Sequence, residues 1–180
     1  MRKVVFLTII TVLFIEIIFA IVAVYFGFAD VSAASSEGSI GRWFLGTVRD
    51  RSIHSRALDI VVPSLDDSIL VMKGFDHYNE MCVTCHGAPG LEPGELAQGL
   101  NPPAPVFAHS SSNRNAAETF LIVKNGIKMT GMPAWAPTHD DSAIWAMVAF
   151  LRHLPQLTPE KYRALQKMGH SEEMENMDHR

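Results

Sequence analysis

The sequence predicts an all-α protein carried behind one N-terminal transmembrane helix, and three observations predict it. A 25-residue apolar run, Val4 to Phe28, is broken by a single charge, Glu16. Beyond it, apolar residues recur at helical spacing in several segments, and no segment alternates with period two, so no strand signal competes. Nine of the Gly and Pro residues gather between residues 87 and 113, where they forbid long helices. At 180 residues and 48% hydrophobic composition, the chain can bury one ordinary core with attachments. A net charge of -4 without any basic stripe excludes a nucleic-acid partner.

The apolar run comes first. At about 1.5 Å per residue it reaches roughly 37 Å, enough to cross a bilayer core of about 30 Å with some tilt. Arg2 and Lys3 precede it, which leaves the N-terminus in the cytoplasm and sends the rest to the outer side of the cytoplasmic membrane. A cleaved signal peptide is the rival reading, since Ser32-Ala33-Ala34 offers a peptidase site. Secretory apolar regions run only about 7–15 residues, so residues 1–29 are read as a retained anchor in contact with the lipid bilayer. Glu16 costs a few kcal/mol near the bilayer centre, and it marks either a functional site or a contact with a neighbouring helix.

Residues 30–63 are read as a juxtamembrane linker. Asp30 to Gly41 is small and polar. Arg42 to Asp59 mixes Arg42, Arg49, Arg51 and Arg56 with Trp43, Phe44, Leu45 and Ile53. That mixture suits a segment on a membrane surface or against a partner, and equally an irregular polar connector.

Residues 64–157 form the expected soluble domain. Ser64 or Asp66 caps a helix running to Cys82, with Ile69, Leu70, Met72, Phe75, Tyr78 and Met81 as its stripe. The stretch from 87 to 113, with Pro89, Pro93, Pro102, Pro103 and Pro105, reads as a loop wrapped over something rigid. Asn113 or Asn115 caps a short helix through Ala116, Phe120, Ile122 and Val123, closed by Asn125-Gly126. A loop with Met129 and Met132 comes next. Thr138 or Asp140 then starts a strong helix, Ser142 to Leu154, which Pro155 stops. In residues 158–180, Thr158-Pro159-Glu160 opens a last helix to about Met168, and a polar tail completes the chain. There is no internal repeat, hence one site.

The chemistry lies in the cysteines. There are two, in the run Cys82-Val83-Thr84-Cys85-His86, so a four-cysteine zinc site has no further ligands. Cys-x-x-Cys-His is what covalent haem attachment requires: two thiols one helical turn apart reach the two vinyl groups, and the adjacent imidazole lies beneath the iron. A thioredoxin-like pair would need a βαβ context, which a strandless chain does not supply. The sixth iron position needs a soft sulfur or a second imidazole. Met132, in Gly131-Met132-Pro133-Ala134-Trp135, leads, because Pro133 stiffens the backbone behind the sulfur and Gly131 allows a tight approach. Met129, His109, His139 and His153 are the competitors.

From about Asp66 to Pro155 the chain resembles class I (mitochondrial-type) c-type cytochromes, especially the membrane-anchored bacterial monohaem subunits. The resemblance rests on Gly74 and Tyr78 ahead of the Cys82–His86 run, on Gly131-Met132-Pro133-Ala134-Trp135, and on Met147, Phe150 and Leu151. It implies the class I cytochrome c fold around one covalent haem c, held by Cys82 and Cys85, with His86 and Met132 on the iron. It implies that the first and last helices of that fold cross at nearly right angles, with Gly74 admitting Phe150. It also implies a loop proline carbonyl bonded to the proximal imidazole, from Pro102, Pro103 or Pro105. Residues 1 to 60 and 156 to 180 lie outside it.

The expected role is one-electron transfer rather than catalysis. Glu16 and the arginine-rich segment favour a subunit of a respiratory or dehydrogenase complex over a free shuttle with a soluble redox partner. The alternative is a haem sensor or catalyst whose sixth position stays open. In the tail, Met168, His170, Met174, Met177 and His179 suit copper, especially Cu(I), against the plainer reading of a solvated charged end.

Overall fold

Three carboxylate or amide side chains set where the helical framework begins. Asp67 accepts from the Ile69 N–H at 2.8 Å, Asn115 from the Glu118 N–H at 2.9 Å, and Asp140 from the Ala143 N–H at 2.8 Å. Each supplies an acceptor to a backbone donor that has no carbonyl partner in the first turn. The computed structural model describes all residues except 29, 36–37, 108–112 and 179–180, and only the backbone of 169–178. In chain order the helices are α1 (Arg2–Tyr25), α2 (Ser39–Ala57), α3 (Ser68–His77), α4 (Val83–His86), α5 (Glu95–Gln98), α6 (Ala116–Asn125), α7 (Asp141–His153) and α8 (Pro159–Asp178). No β-strand occurs among the described residues, only a single bridge between Ala88 and Leu91.

The chain divides into two units, Met1–Ser36 and Glu37–Arg180. The first is α1, with mean hydropathy 2.9 over its most apolar 18 residues and no buried side chain. It is long and apolar enough to cross a membrane. Its two threonines return their hydroxyls to the carbonyls of Val4 and Leu7, at 2.9 and 3.0 Å, so they ask nothing of their surroundings.

In the second unit the organising contact is α3 against α7. A Cβ built on Gly74 would lie 1.9 Å from the Ala146 carbonyl oxygen and 2.8 Å from Phe150 Cβ, so only glycine lets the two backbones approach this closely. That approach also sets the rotation of α3. The buried side of the segment is Gly74, Phe75 and Tyr78, flanked by the half-buried Leu70 and Val71. Ile69 and Met72, expected in the stripe, are exposed. Between α3 and α4 the backbone widens into a π-turn, Tyr78–Cys82.

One core cluster joins Phe75, Tyr78, Ala88, Phe150, Leu154 and Tyr162; the other joins Leu65, Phe120, Val123, Ile144, Met147 and Val148. Phe75 packs edge-on to both Phe150 and Tyr162 at 5.5 Å, a geometry that aligns ring edges with ring faces.

Two elements go further than their local patterns predict. The segment read as a linker holds α2, which docks on α6 through His54 to Glu118 (3.0 Å) and Arg114 to Asp50 (2.6 Å). Glu118 also receives the Asn115 N–H at 3.3 Å, closing a capping box. The helix opened by Thr158-Pro159 runs ten residues past the expected end, to Asp178. Its Tyr162 is 0% exposed and donates to Asn79 at 3.2 Å, so this helix completes the core begun by Phe75. Of the residues in the copper reading, Met168 is exposed, and the side chains of His170, Met174, Met177 and His179 lie outside the described residues.

Candidate functional site

The π-turn delivers Cys82 to the first turn of α4, and Cys85 and His86 lie on the same turn. Both thiols are free and half-buried. Cys82 packs against the Phe75–Tyr162 cluster, and burial pushes its thiol up to about 12, with the neighbouring Cys85 adding to the shift. A buried thiol of that kind resists ionisation.

Gly87 ends α4 at φ +64 and ψ -174, a conformation essentially confined to glycine. The turn behind it is tied on two sides. The Tyr78 hydroxyl, itself buried, donates to the Gly87 carbonyl at 2.6 Å. The Gly94 N–H donates to the Thr84 carbonyl at 2.8 Å.

His86 is held from the loop on the far side of Gly87. Its Nδ1 lies 2.8 Å from the Pro105 carbonyl, and its ring stacks on Phe107 with centroids 4.7 Å apart and planes 20° apart. A carbonyl only accepts, so Nδ1 carries the proton and Nε2 keeps its lone pair. Burial holds the imidazole below its ordinary pKa, against the opposing effect of the Pro105 bond. Of the three candidate prolines, Pro105 serves. Phe107 was not signalled, since nothing marks an aromatic two residues beyond a proline as a ring partner.

Met132 stands in the loop after α6. It is half-buried and packs against the Phe120–Val148 cluster, together with Met81 and Trp135. The loop is seated from below by Gly126, at φ +64 and ψ -171, where a Cβ would lie 2.6 Å from the Pro133 carbonyl carbon. It closes on itself through Ile127 N–H to the Met132 carbonyl at 3.1 Å and Met132 N–H to Thr130 Oγ1 at 3.1 Å. Leu100 packs so closely on Gly131 that an added Cβ would lie 2.4 Å from Leu100 Cδ2.

The competitors are placed differently. Met129 takes a positive φ of 60 and is exposed. His139 sits edge-on between His77 and Trp135, at 5.1 and 5.5 Å. His153 turns Nδ1 to the Ala149 carbonyl of its own helix at 2.9 Å. His109 lies outside the described residues.

The donor set fits a haem c: two unlinked thiols on one turn, and beside them an imidazole whose outward nitrogen has a free lone pair. Residues 70–151 match the family model described as cytochrome c oxidase, cbb3-type, subunit III. No curated protein matches the chain. The matched segment begins in α3 and ends in α7, so it contains the Gly74 crossing, the Cys82–His86 turn and the Met132 loop. Residues 70–151 therefore read as a c-type cytochrome domain, which supports haem-based electron transfer.

Proposed function

We propose that the protein is a membrane-tethered one-electron carrier with a single covalent haem c. In this reading Cys82 and Cys85 form the two thioether links, His86 is the proximal ligand, and Met132 is the sixth. The observation that carries it is the 2.8 Å bond from His86 Nδ1 to the Pro105 carbonyl, inside a Cys-x-x-Cys-His turn. That bond fixes the tautomer and raises the basicity of the nitrogen left for a metal.

When bound, the haem supplies a one-electron couple at iron. The protein's part is to position and to exclude. Tyr78 and Gly94 hold the cysteine turn still, Phe107 limits rotation of the imidazole, and the 127–132 loop presents a thioether from a self-bonded frame. A thioether opposite an imidazole raises the reduction potential and leaves no position open for catalysis at iron.

Residues 1–29 serve as a single-pass anchor in the cytoplasmic membrane, with the haem domain on its outer side, as Arg2 and Lys3 at the start of α1 support. Membership of a membrane electron-transfer complex is supported by Glu16, set within the apolar span, and by the oxidase-subunit description of the matching family model.

The test is spectroscopic. One haem per chain that survives denaturation, together with a six-coordinate low-spin spectrum and the weak sulfur-to-iron band at the red end, is expected. A five-coordinate high-spin resting spectrum overturns this and favours the sensor or catalyst with an open position. For the complex, the mildly solubilised protein is expected to migrate with larger membrane proteins. Migration as a lone 19.9 kDa chain overturns that part.

A further inference from the structure

The docking of α2 leaves one of its faces without protein cover. His54, Asp50 and the buried Ala57 turn toward α6, as the His54–Glu118 and Asp50–Arg114 pairs show. On the other side Ile40, Phe44 and Val48 recur at i, i+4 and i+8, and they are 82%, 57% and 50% exposed. Leu45 stands exposed beside them, and Trp43 stands exposed in the same N-terminal half.

The charge on this helix is opposite to that of the chain. The protein carries -4, yet α2 holds Arg42, Arg49, Arg51 and Arg56 against Asp50 alone. Arg42, Arg49 and Arg56 fall every seven residues on the half of the helix turned away from Ile40, Phe44 and Val48, and Arg49 pairs there with Asp50. Arg51 continues the line of Ile40, Phe44 and Val48, three residues on. Asp50 is engaged by Arg49 at 2.8 Å and by Arg114, so it leaves Arg51 uncompensated by a neighbouring acid on its own helix.

We propose that this face of α2 rests on an anionic lipid surface and thereby fixes the orientation of the cytochrome domain on the bilayer. An apolar stripe continued by Arg51, on a helix that is polar overall and holds four arginines against one aspartate, is the pattern of a helix lying in the headgroup layer. The bilayer is within reach, because only residues 26–38 separate α1 from α2, at most roughly 45 Å of extended chain. The inference rests on the reading of α1 as a membrane tether.

The test uses full-length holoprotein in nanodiscs. Val48→Cys is reacted with an uncharged polyethylene-glycol maleimide, and Lys161→Cys on α8 is the reference; the native cysteines are consumed by haem attachment. In discs of anionic phosphatidylglycerol the Val48→Cys thiol is expected to react severalfold more slowly than Lys161→Cys. The difference is expected to shrink with Arg51→Glu, and in discs of zwitterionic lipid at high salt. Equal rates at both positions in anionic discs overturn the proposal. Shielding of Val48→Cys that occurs only in native membranes, and not in the discs, assigns the face to a protein partner and also overturns it. Co-elution of the chain with the disc scores the tether separately. A chain that does not co-elute refutes the tether and this proposal with it, whereas a chain that co-elutes with an unshielded thiol refutes the surface contact alone.

Discussion

The Cys82–His86 turn and the Met132 loop leave their helices through glycines of nearly the same backbone, φ +64 with ψ -174 at Gly87 and φ +64 with ψ -171 at Gly126. The two segments beside these glycines are held in different ways. The cysteine turn is fixed by groups from outside it: the Tyr78 hydroxyl, the Gly94 N–H, the Pro105 carbonyl and the Phe107 ring. The methionine loop is fixed mainly by its own backbone, through Ile127, Thr130 and Met132, with Val123 and Lys124 accepting from Trp135 and Ala136. One side is therefore a part that the domain clamps in place. The other is a self-bonded clip whose sulfur can be exchanged without disturbing its frame.

The largest effect is expected on the clamped side. Cys82→Ser with Cys85→Ser removes both thiols, so no haem is expected to survive denaturation and extraction, read as loss of the haemochrome spectrum from the protein fraction. Haem that stays bound through extraction would remove the covalent role of the turn.

The next test separates frame from contact in the methionine loop. Gly126→Ala places a side chain in a backbone region essentially reserved for glycine, and its Cβ meets the backbone of Met132, Pro133 and Ala134 at 2.6 to 2.7 Å. A loss on the order of 2–4 kcal/mol is expected in denaturant unfolding. The three atoms nearest a Cβ in Gly131→Ala all belong to the Leu100 side chain, which can turn aside, so its cost is expected below about 1 kcal/mol. Equal costs would mean that the loop is not seated by Gly126.

Met132→Ala comes third, because it removes the proposed ligand and keeps the clip. Covalent haem is expected to remain while the red-end band disappears. The potential is expected to fall by on the order of 0.1 V, within the roughly 0.8 V that axial ligation spans. Retention of the band in that variant would move the ligand to another residue.

How far the sequence foretold this contrast depends on what each feature needs. Cys82, Cys85 and His86 were legible because their chemistry depends on spacing within one turn. Gly74 was legible beside Phe150 through family resemblance, and the 1.9 Å approach to Ala146 supplies its physical reason. Helix starts were legible to within a residue or two, since short polar side chains mark them: Asn115 and Asp140 were among the candidates, while Asp67 displaced Asp66. The contacts of α2 and α8 were not legible. Asp50 with Arg114, and Tyr162 with Asn79, join residues 64 and 83 positions apart, and no periodicity within either segment encodes its partner. The Phe107 stack was hidden for the same reason, lying across a proline-rich loop from the ring it supports.

The smallest effect concerns that stack. His86 has two restraints, a hydrogen bond to a main-chain carbonyl and an aromatic face, and only the second can be removed by side-chain substitution. Phe107→Ala deletes a half-buried ring in near-parallel contact, a loss on the order of 0.5–1.5 kcal/mol beyond its burial. The Pro105 carbonyl still accepts from Nδ1, so the tautomer persists and Nε2 keeps its lone pair. Covalent haem and the red-end band are therefore expected to be unchanged, with a modest drop in unfolding midpoint and a potential shift well below that of Met132→Ala. If Phe107→Ala instead moved the potential as far as Met132→Ala does, the stack and not the carbonyl would be the group that sets the imidazole, and the clamped side would be no more rigidly defined than the clip opposite it.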